Sequence, residues 1–139
     1  MSHIIDIDAL PEMYPTHRHE PAFWESIGRV VATYGFLEET LGKAIFAFTA
    51  TKPYSEQEVQ QALDGWLPKL QHALSDQLWN LIKSYEEAVR EHPNATIENL
   101  EYLIEQLKEA AKIRNVICHG SWGTPNTEGA SVPFFANRQ

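Results

Sequence analysis

The fold class is indicated by residues 22–51, which read AFWESIGRVVATYGFLEETLGKAIFAFTAT. Apolar side chains recur in this segment every three or four positions, the spacing that gathers them on one face of an α-helix. Pro21 suits the first position of such a helix, and Pro53 stops it from continuing. We therefore expect one long first helix over residues 22–51.

Two more helices are expected before residue 92. Ser55 and Glu58 have the spacing of a capping box, which opens a short helix to about residue 63. Gly65 is expected to break that helix. A third, long helix is then predicted over residues 68–91.

The fourth helix is predicted over residues 97–119, with Thr96 as its N-cap and Gly120 just past its end. Beyond it the chain is rich in turn-forming residues, and residues 130–135 form a candidate extended segment. The predicted class is all-α, a bundle of three long helices plus a short helix, with a short extended C-terminal tail. The predicted organisation is an irregular segment over 1–20, the bundle over 21–122, and a turn-rich tail with a short strand over 123–139.

Composition excludes several classes of protein. The chain has 139 residues and a net charge of -8, which argues against non-specific coating of nucleic acid. Its single cysteine, Cys118, excludes an internal disulfide and fits a reducing cytoplasm. No apolar run is long enough to cross a membrane, and the first ten residues do not resemble a signal peptide. We therefore expect a cytoplasmic protein with no membrane partner.

Two opposite charges fall on apolar helix faces. At about 100° per residue, Arg114 lies near the middle of the apolar face of the fourth helix. Glu38 lies inside the apolar arc of the first helix. We therefore predict a Glu38–Arg114 ion pair within the core, acting either in a functional site or only in fixing how the helices pack.

A polar stripe runs beside Arg114 on the fourth helix. Lys108, Lys112, Asn115 and His119 fall within an arc of about 60°. Two cations, an amide and an imidazole suit a phosphate group, since histidine moves protons near neutral pH. The alternative is a solvated face whose histidine interacts with the helix C-terminus. Arg114 lies off the stripe, so only its long side chain or a second subunit would bring it near His119.

Other residues have two interpretations each. Gly28, Gly35 and Gly42 share one edge of the first helix, which indicates close approach of another helix within the bundle or across a dimer. Trp122 follows the motif directly, where it either packs against the helix end or stacks on a base.

Some side chains are interpreted as structural or solvated. His17, His19 and Glu20 are expected in a solvated loop rather than at a metal site. Cys118 falls on the apolar face and is expected to be buried. The remaining tryptophans are expected in the core: Trp24, Trp66 and Trp79.

The stretch from Arg114 through Asn115 to His119 resembles the arginine–polar–histidine motif of the HEPN superfamily (higher eukaryotes and prokaryotes nucleotide-binding domain). Members of that superfamily are helical bundles with the motif at the end of the last core helix and a glutamate on an earlier helix. Glu38 occupies the matching position here. The resemblance covers residues 22–122.

The resemblance implies a metal-independent endoribonuclease that needs no cofactor and acts as a homodimer with a composite Arg/His cleft. It implies that His119 is a general base or acid and that Arg114 stabilises negative charge on the phosphate. Asn115 orients the imidazole or phosphate, and Glu38 holds Arg114. Lys108, Lys112 and Trp122 are then candidate substrate-binding residues for RNA.

The same resemblance also allows a protein without catalytic activity. Some HEPN domains only dimerise or bind partners, and toxin–antitoxin and phage-defence roles are common among them. In that alternative, Glu38 and Arg114 are structural, and the partner is an antitoxin or another protein.

Overall fold

The computed structural model describes residues 5–75 and 77–134, and it is an all-α bundle with a short extended tail, as the sequence predicts. A 3₁₀ turn over Ile7–Ala9 precedes the bundle. The helices are α1 (Pro21–Ala50), α2 (Glu56–Ser75), α3 (Leu78–Glu91) and α4 (Leu100–His119). Two short strands follow, β1 (Ser121–Trp122) and β2 (Pro133–Phe134). No helix in the described ranges is both long enough and apolar enough to cross a membrane.

Helix α1 begins and ends where its sequence predicts. Pro21 occupies the first helical position, where its missing N–H costs no hydrogen bond. At the other end, the backbone N–H of Thr51 donates to the Ala47 carbonyl, and Pro53 follows two residues later. The 30 residues of α1 make it the longest described element, and it contacts each of the other three helices.

The boundary between α2 and α3 differs from the prediction. Helix α2 starts at the predicted capping box, where the Ser55 backbone N–H donates to the Glu58 carboxylate at 3.0 Å. It does not stop at Gly65 but continues through Pro68 to residue 75. Trp66 packs on Phe46 of α1, with ring centroids 5.1 Å apart. This packing offsets the roughly 1 kcal/mol that an interior glycine costs. The predicted long helix over 68–91 is therefore divided between α2 and α3.

The helices alternate in direction along the chain. Helices α3 and α4 are antiparallel, because Trp79 lies under Lys108 while Arg90 pairs with Glu101. Helices α1 and α3 lie between the other two: α2 contacts both of them on one side, and α4 contacts both on the other. The buried core is built from three of the helices and consists of Leu41, Leu78, Leu81, Ile82, Tyr85, Val89, Leu100, Ile104, Leu107 and Ala111.

The core occupies only one half of the bundle. Leu41 is the first buried residue of α1, and Ala111 is the last buried residue of α4. Helix α3 begins at Leu78, beside Lys108 of α4, so it does not extend along the first half of α1. The first half of α1 and the last two turns of α4 therefore project beyond α3. We call this two-helix projection, residues 21–40 with residues 112–119, the arm.

Helix α4 starts at a different cap residue from the one predicted and ends at the predicted one. The N-cap is Asn99 in a left-handed conformation, φ 56°, rather than Thr96. Asparagine adopts that conformation more readily than most residues. Gly120 ends the helix as predicted, with its N–H donating to the Val116 carbonyl at 2.7 Å.

The tail folds back on the end of α4 as a two-stranded antiparallel sheet. Ser121 pairs with Phe134, and Trp122 pairs with Pro133. The second strand lies within the predicted extended segment, and the Ser131 hydroxyl donates to the Gly123 carbonyl at 2.6 Å. The Phe134 side chain stays 74% exposed, so pairing the backbone does not cover it. Phe135, the last residue of the predicted segment, lies outside the described residues.

Candidate functional site

The arm carries the Glu38–Arg114 ion pair. Glu38 of α1 and Arg114 of α4 approach within 3.6 Å, from Oε1 to Nη2. The prediction that they meet is confirmed, but the prediction that they are buried in the core is wrong: their side chains are 31% and 27% exposed. The physical reason is the length of α3, which ends the core before it reaches this level of the bundle. A partly hydrated pair avoids most of the desolvation cost of a buried one.

The Asn115 side chain makes its described hydrogen bond to Arg114 of this pair and not to the imidazole of His119. Its Oδ1 accepts from Nη1 of Arg114 at 3.4 Å, a long hydrogen bond. The guanidinium thus has the Glu38 carboxylate near one terminal nitrogen and an amide oxygen near the other. These contacts restrict the guanidinium while leaving more than a quarter of the side chain open to solvent.

His119 is the last residue of α4 and is exposed. Within the described ranges, its side chain has no hydrogen bond, ion pair or ring contact. The five-residue spacing directs Arg114 and His119 about 140° apart on an ideal helix. One chain therefore does not bring Arg114 and His119 together in one site, as their helical spacing predicts.

The two lysines of the polar stripe already have contacts within the chain. Lys112 pairs with Glu109 at 2.8 Å, both side chains being well exposed. Lys108 is half-buried, with its Nζ 5.7 Å from the centroid of the Trp79 ring. Trp79, expected in the core, is 38% exposed and forms the surface on which this lysine rests. The stripe is thus a partly neutralised face rather than a row of free cations.

The Trp122 side chain packs against α1 of its own chain. It is half-buried, and its ring meets Phe23 of α1 edge-on with centroids 5.1 Å apart. This contact fits the packing interpretation better than base stacking. The other predicted core tryptophans, Trp24 and Trp66, are half-buried rather than in the core.

His19 is a residue whose role the sequence did not reveal. It was expected in a solvated loop, yet it is buried and stacks on Phe23 with centroids 4.1 Å apart. Trp24 closes one side of it, and its Nε2 has no hydrogen-bond partner among the described residues. Among those residues, no cluster of three or more histidine, cysteine or acidic side chains has the geometry to hold a metal ion.

Cys118 is exposed, which contradicts the prediction that it is buried. It falls on the apolar face of α4, but it lies in the arm, beyond the start of α3. Tyr34 of α1 lies close to it: burial raises the pKa of the Tyr34 hydroxyl, and the nearby Cys118 raises it further. The open side of the arm thus presents a phenol and a thiol beside the end of α4.

No protein-family model, curated protein sequence or solved structure matches this chain. The assignment to a family therefore depends on the motif residues and their placement alone.

Proposed function

We propose that the chain is a HEPN-like, metal-independent endoribonuclease that acts as a homodimer with a composite Arg/His site. The observation that carries the proposal is the arrangement at the end of α4: Glu38 restricts Arg114, while His119 five residues later is left exposed. An arginine held in place and a free imidazole are the two groups that RNA transesterification needs.

The proposal includes a second copy because of the helix geometry. Because Arg114 and His119 point about 140° apart on one helix, a single chain supplies only one of them to a given phosphate. Helix α3, which covers the rest of α1 and α4, does not extend along the arm. Apolar residues there, including Ile27 and Val30, are only partly covered, and Val31 is 43% exposed. A second copy packed on the arm would bury this surface and supply the missing group.

In the proposed reaction, His119 of one copy removes the proton from a ribose 2′-hydroxyl. The oxygen attacks the adjacent phosphorus, and the bond from phosphorus to the 5′-oxygen breaks. That oxygen takes the proton back from His119, while the second copy supplies Arg114, and the products are a 2′,3′-cyclic phosphate and a free 5′-hydroxyl. Arg114 neutralises the negative charge that builds up on the phosphate oxygens.

The test is cleavage of a structured RNA such as tRNA in the presence of EDTA. We expect wild-type protein to cut and His119→Ala to be slower by about 10²-fold or more, the usual contribution of an acid–base group. His17→Ala is the matched control, because His17 is also exposed but lies in the N-terminal loop. A substrate with 2′-deoxyribose at the cleaved position should resist cutting, since it lacks the nucleophile.

Other results would refute the enzymatic proposal. Cutting that EDTA abolishes, or that His119→Ala retains in full, would contradict the mechanism. No cutting by an intact dimer would favour the alternative, a HEPN-like dimerisation or partner-binding module. That alternative has its own observation: Arg114 is engaged by Glu38 and Asn115, and both lysines of the stripe are occupied.

A further inference from the structure

A groove of about 600 Å³ lies at the end of the bundle remote from His119. Its walls are the C-terminal end of α1, the first half of α2 and the second half of α3. The volume falls in the range of small-molecule sites. None of the sequence motifs predicted it, because its lining comes from three helices with no local signature.

Aromatic rings form much of the groove: Phe46, Phe48, Tyr54 and Trp66. Phe46 and Trp66 lie at a 52° tilt and leave Phe46 39% exposed, so part of its ring is open to solvent. The Tyr54 hydroxyl donates to the Thr49 carbonyl at 3.0 Å, which fixes the direction of that ring. The groove therefore offers aromatic surface that needs no rearrangement to become accessible.

The charged side chains of the groove are mostly acidic. They are three carboxylates, from Glu58, Glu87 and Glu91, and the ammonium of Lys52. Lys52 lies 3.9 Å from the Glu91 carboxylate and also lowers the pKa of Glu58, so Glu87 is the one lining carboxylate with no described interaction with this cation. The Ser55 N–H donates to Glu58 and holds the pKa of that carboxyl below its ordinary value, so it remains ionised at neutral pH.

The groove already accommodates one ammonium group. Nζ of Lys52 lies 5.8 Å from the centroid of the Tyr54 ring, within the range of a cation–π contact. A second, apolar depression of about 320 Å³ shares Phe46, Tyr54 and Trp66 with the groove and extends to Val59 and Leu63. Cation-binding surface and apolar surface are thus contiguous.

We propose that this groove binds a small organic cation, an alkylammonium whose charged head sits between the carboxylates and aromatic rings. Cation–π attraction and charge complementarity favour the head. The adjoining apolar depression receives the alkyl substituents. The inference is independent of the proposed ribonuclease activity, since it concerns the opposite end of α1.

The test is an NMR titration of the full chain with choline, followed through the indole N–H signals of its four tryptophans. We expect the Trp66 signal, identified with Trp66→Phe, to shift while that of Trp122 stays still. The uncharged analogue 3,3-dimethylbutan-1-ol has the same shape, and we expect it to bind about tenfold more weakly because it lacks the cation. Equal binding of the two compounds, or no shift at Trp66 with choline, would overturn the proposal.

Two glutamate variants test which carboxylate contributes to choline binding. Glu87→Gln should raise the choline dissociation constant several-fold, and Glu105→Gln, an exposed glutamate of α4, should leave it unchanged. Glu87 is exposed, so its replacement is not expected to disturb folding. Equal effects of both variants would indicate general attraction to an acidic protein instead of a site, and would also overturn the proposal.

Discussion

The Glu38–Arg114 ion pair shows how partial exposure sets the value of a charge contact. The two side chains are about a third and a quarter exposed and 3.6 Å apart. Water at the site weakens the attraction between them, but it also spares most of the desolvation cost. The pair is therefore expected to orient Arg114 more than to stabilise the fold.

Replacing the pair tests that balance. In a double-mutant cycle of Glu38→Gln and Arg114→Met, we expect a coupling energy of about 0.5–1 kcal/mol, the range of partly exposed pairs. Urea denaturation of the four proteins measures it, and the coupling should shrink in high salt. A coupling above about 3 kcal/mol would contradict the partial exposure of the pair, because only a buried pair reaches that value.

The sequence predicted the partners of this pair but not their environment. Helical spacing alone placed Glu38 and Arg114 on apolar faces, and the structure joins them. Whether a face is covered depends on where the neighbouring helix stops. The same missing cover explains Cys118, which lies on the correct face but is exposed. The burial of His19 was missed although its cover is local, because Phe23 and Trp24, four and five residues along the chain, pack against it at the start of α1.

At the scale of elements, the long amphipathic helices were predictable and the α2–α3 boundary was not. Strong apolar periodicity set α1 to within a residue at each end. Gly65 and Pro68 are local signals for a break, but α2 continues past both, and packing of Trp66 against Phe46 stabilises this longer helix. Tertiary contacts thus override local preference where the two conflict.

The end of α4 depends on the absence of a side chain at Gly120. Its φ of -73° suits any residue, so the glycine is needed for space and not for backbone conformation. A Cβ there would collide with the Val116 carbonyl oxygen and would lie 2.9 Å from Cβ of Pro133. The glycine therefore lets β2 pack against the helix end, next to His119.

Gly120→Ala should therefore lower the free energy of unfolding by about 1–3 kcal/mol, the usual cost of overpacking. The matched control is Gly65→Ala, where no described atom lies within 4 Å of the added Cβ. That change should raise the free energy of unfolding by up to about 1 kcal/mol, because alanine favours a helix over glycine. Urea denaturation measures the free energy of unfolding of both variants, which should change in opposite directions. A stabilising Gly120→Ala would contradict the close approach of β2.

At the scale of the whole molecule, the buried core occupies one half of the bundle and the arm forms the other half. The core lies where α1, α3 and α4 overlap, whereas α3 does not extend along the arm. Gly28 and Gly35 lie on one edge of the arm, and no atom of residues 5–75 or 77–134 lies within 4 Å of a Cβ built on either. Close approach of another helix within the bundle is therefore wrong at these two positions, and close approach by a second copy stays a prediction.

Gly35→Leu tests that explanation directly. In a single chain the leucine side chain starts in open space and favours the helix, so the variant should fold. If a second copy packs on this edge, the added side chain should raise the dimer dissociation constant by about tenfold or more in sedimentation velocity. Gly65→Leu on α2, where the space is also open, should leave association unchanged. An unaltered Gly35→Leu dimer would place the contact elsewhere, and a wild-type chain that stays monomeric at all concentrations would remove the composite site altogether.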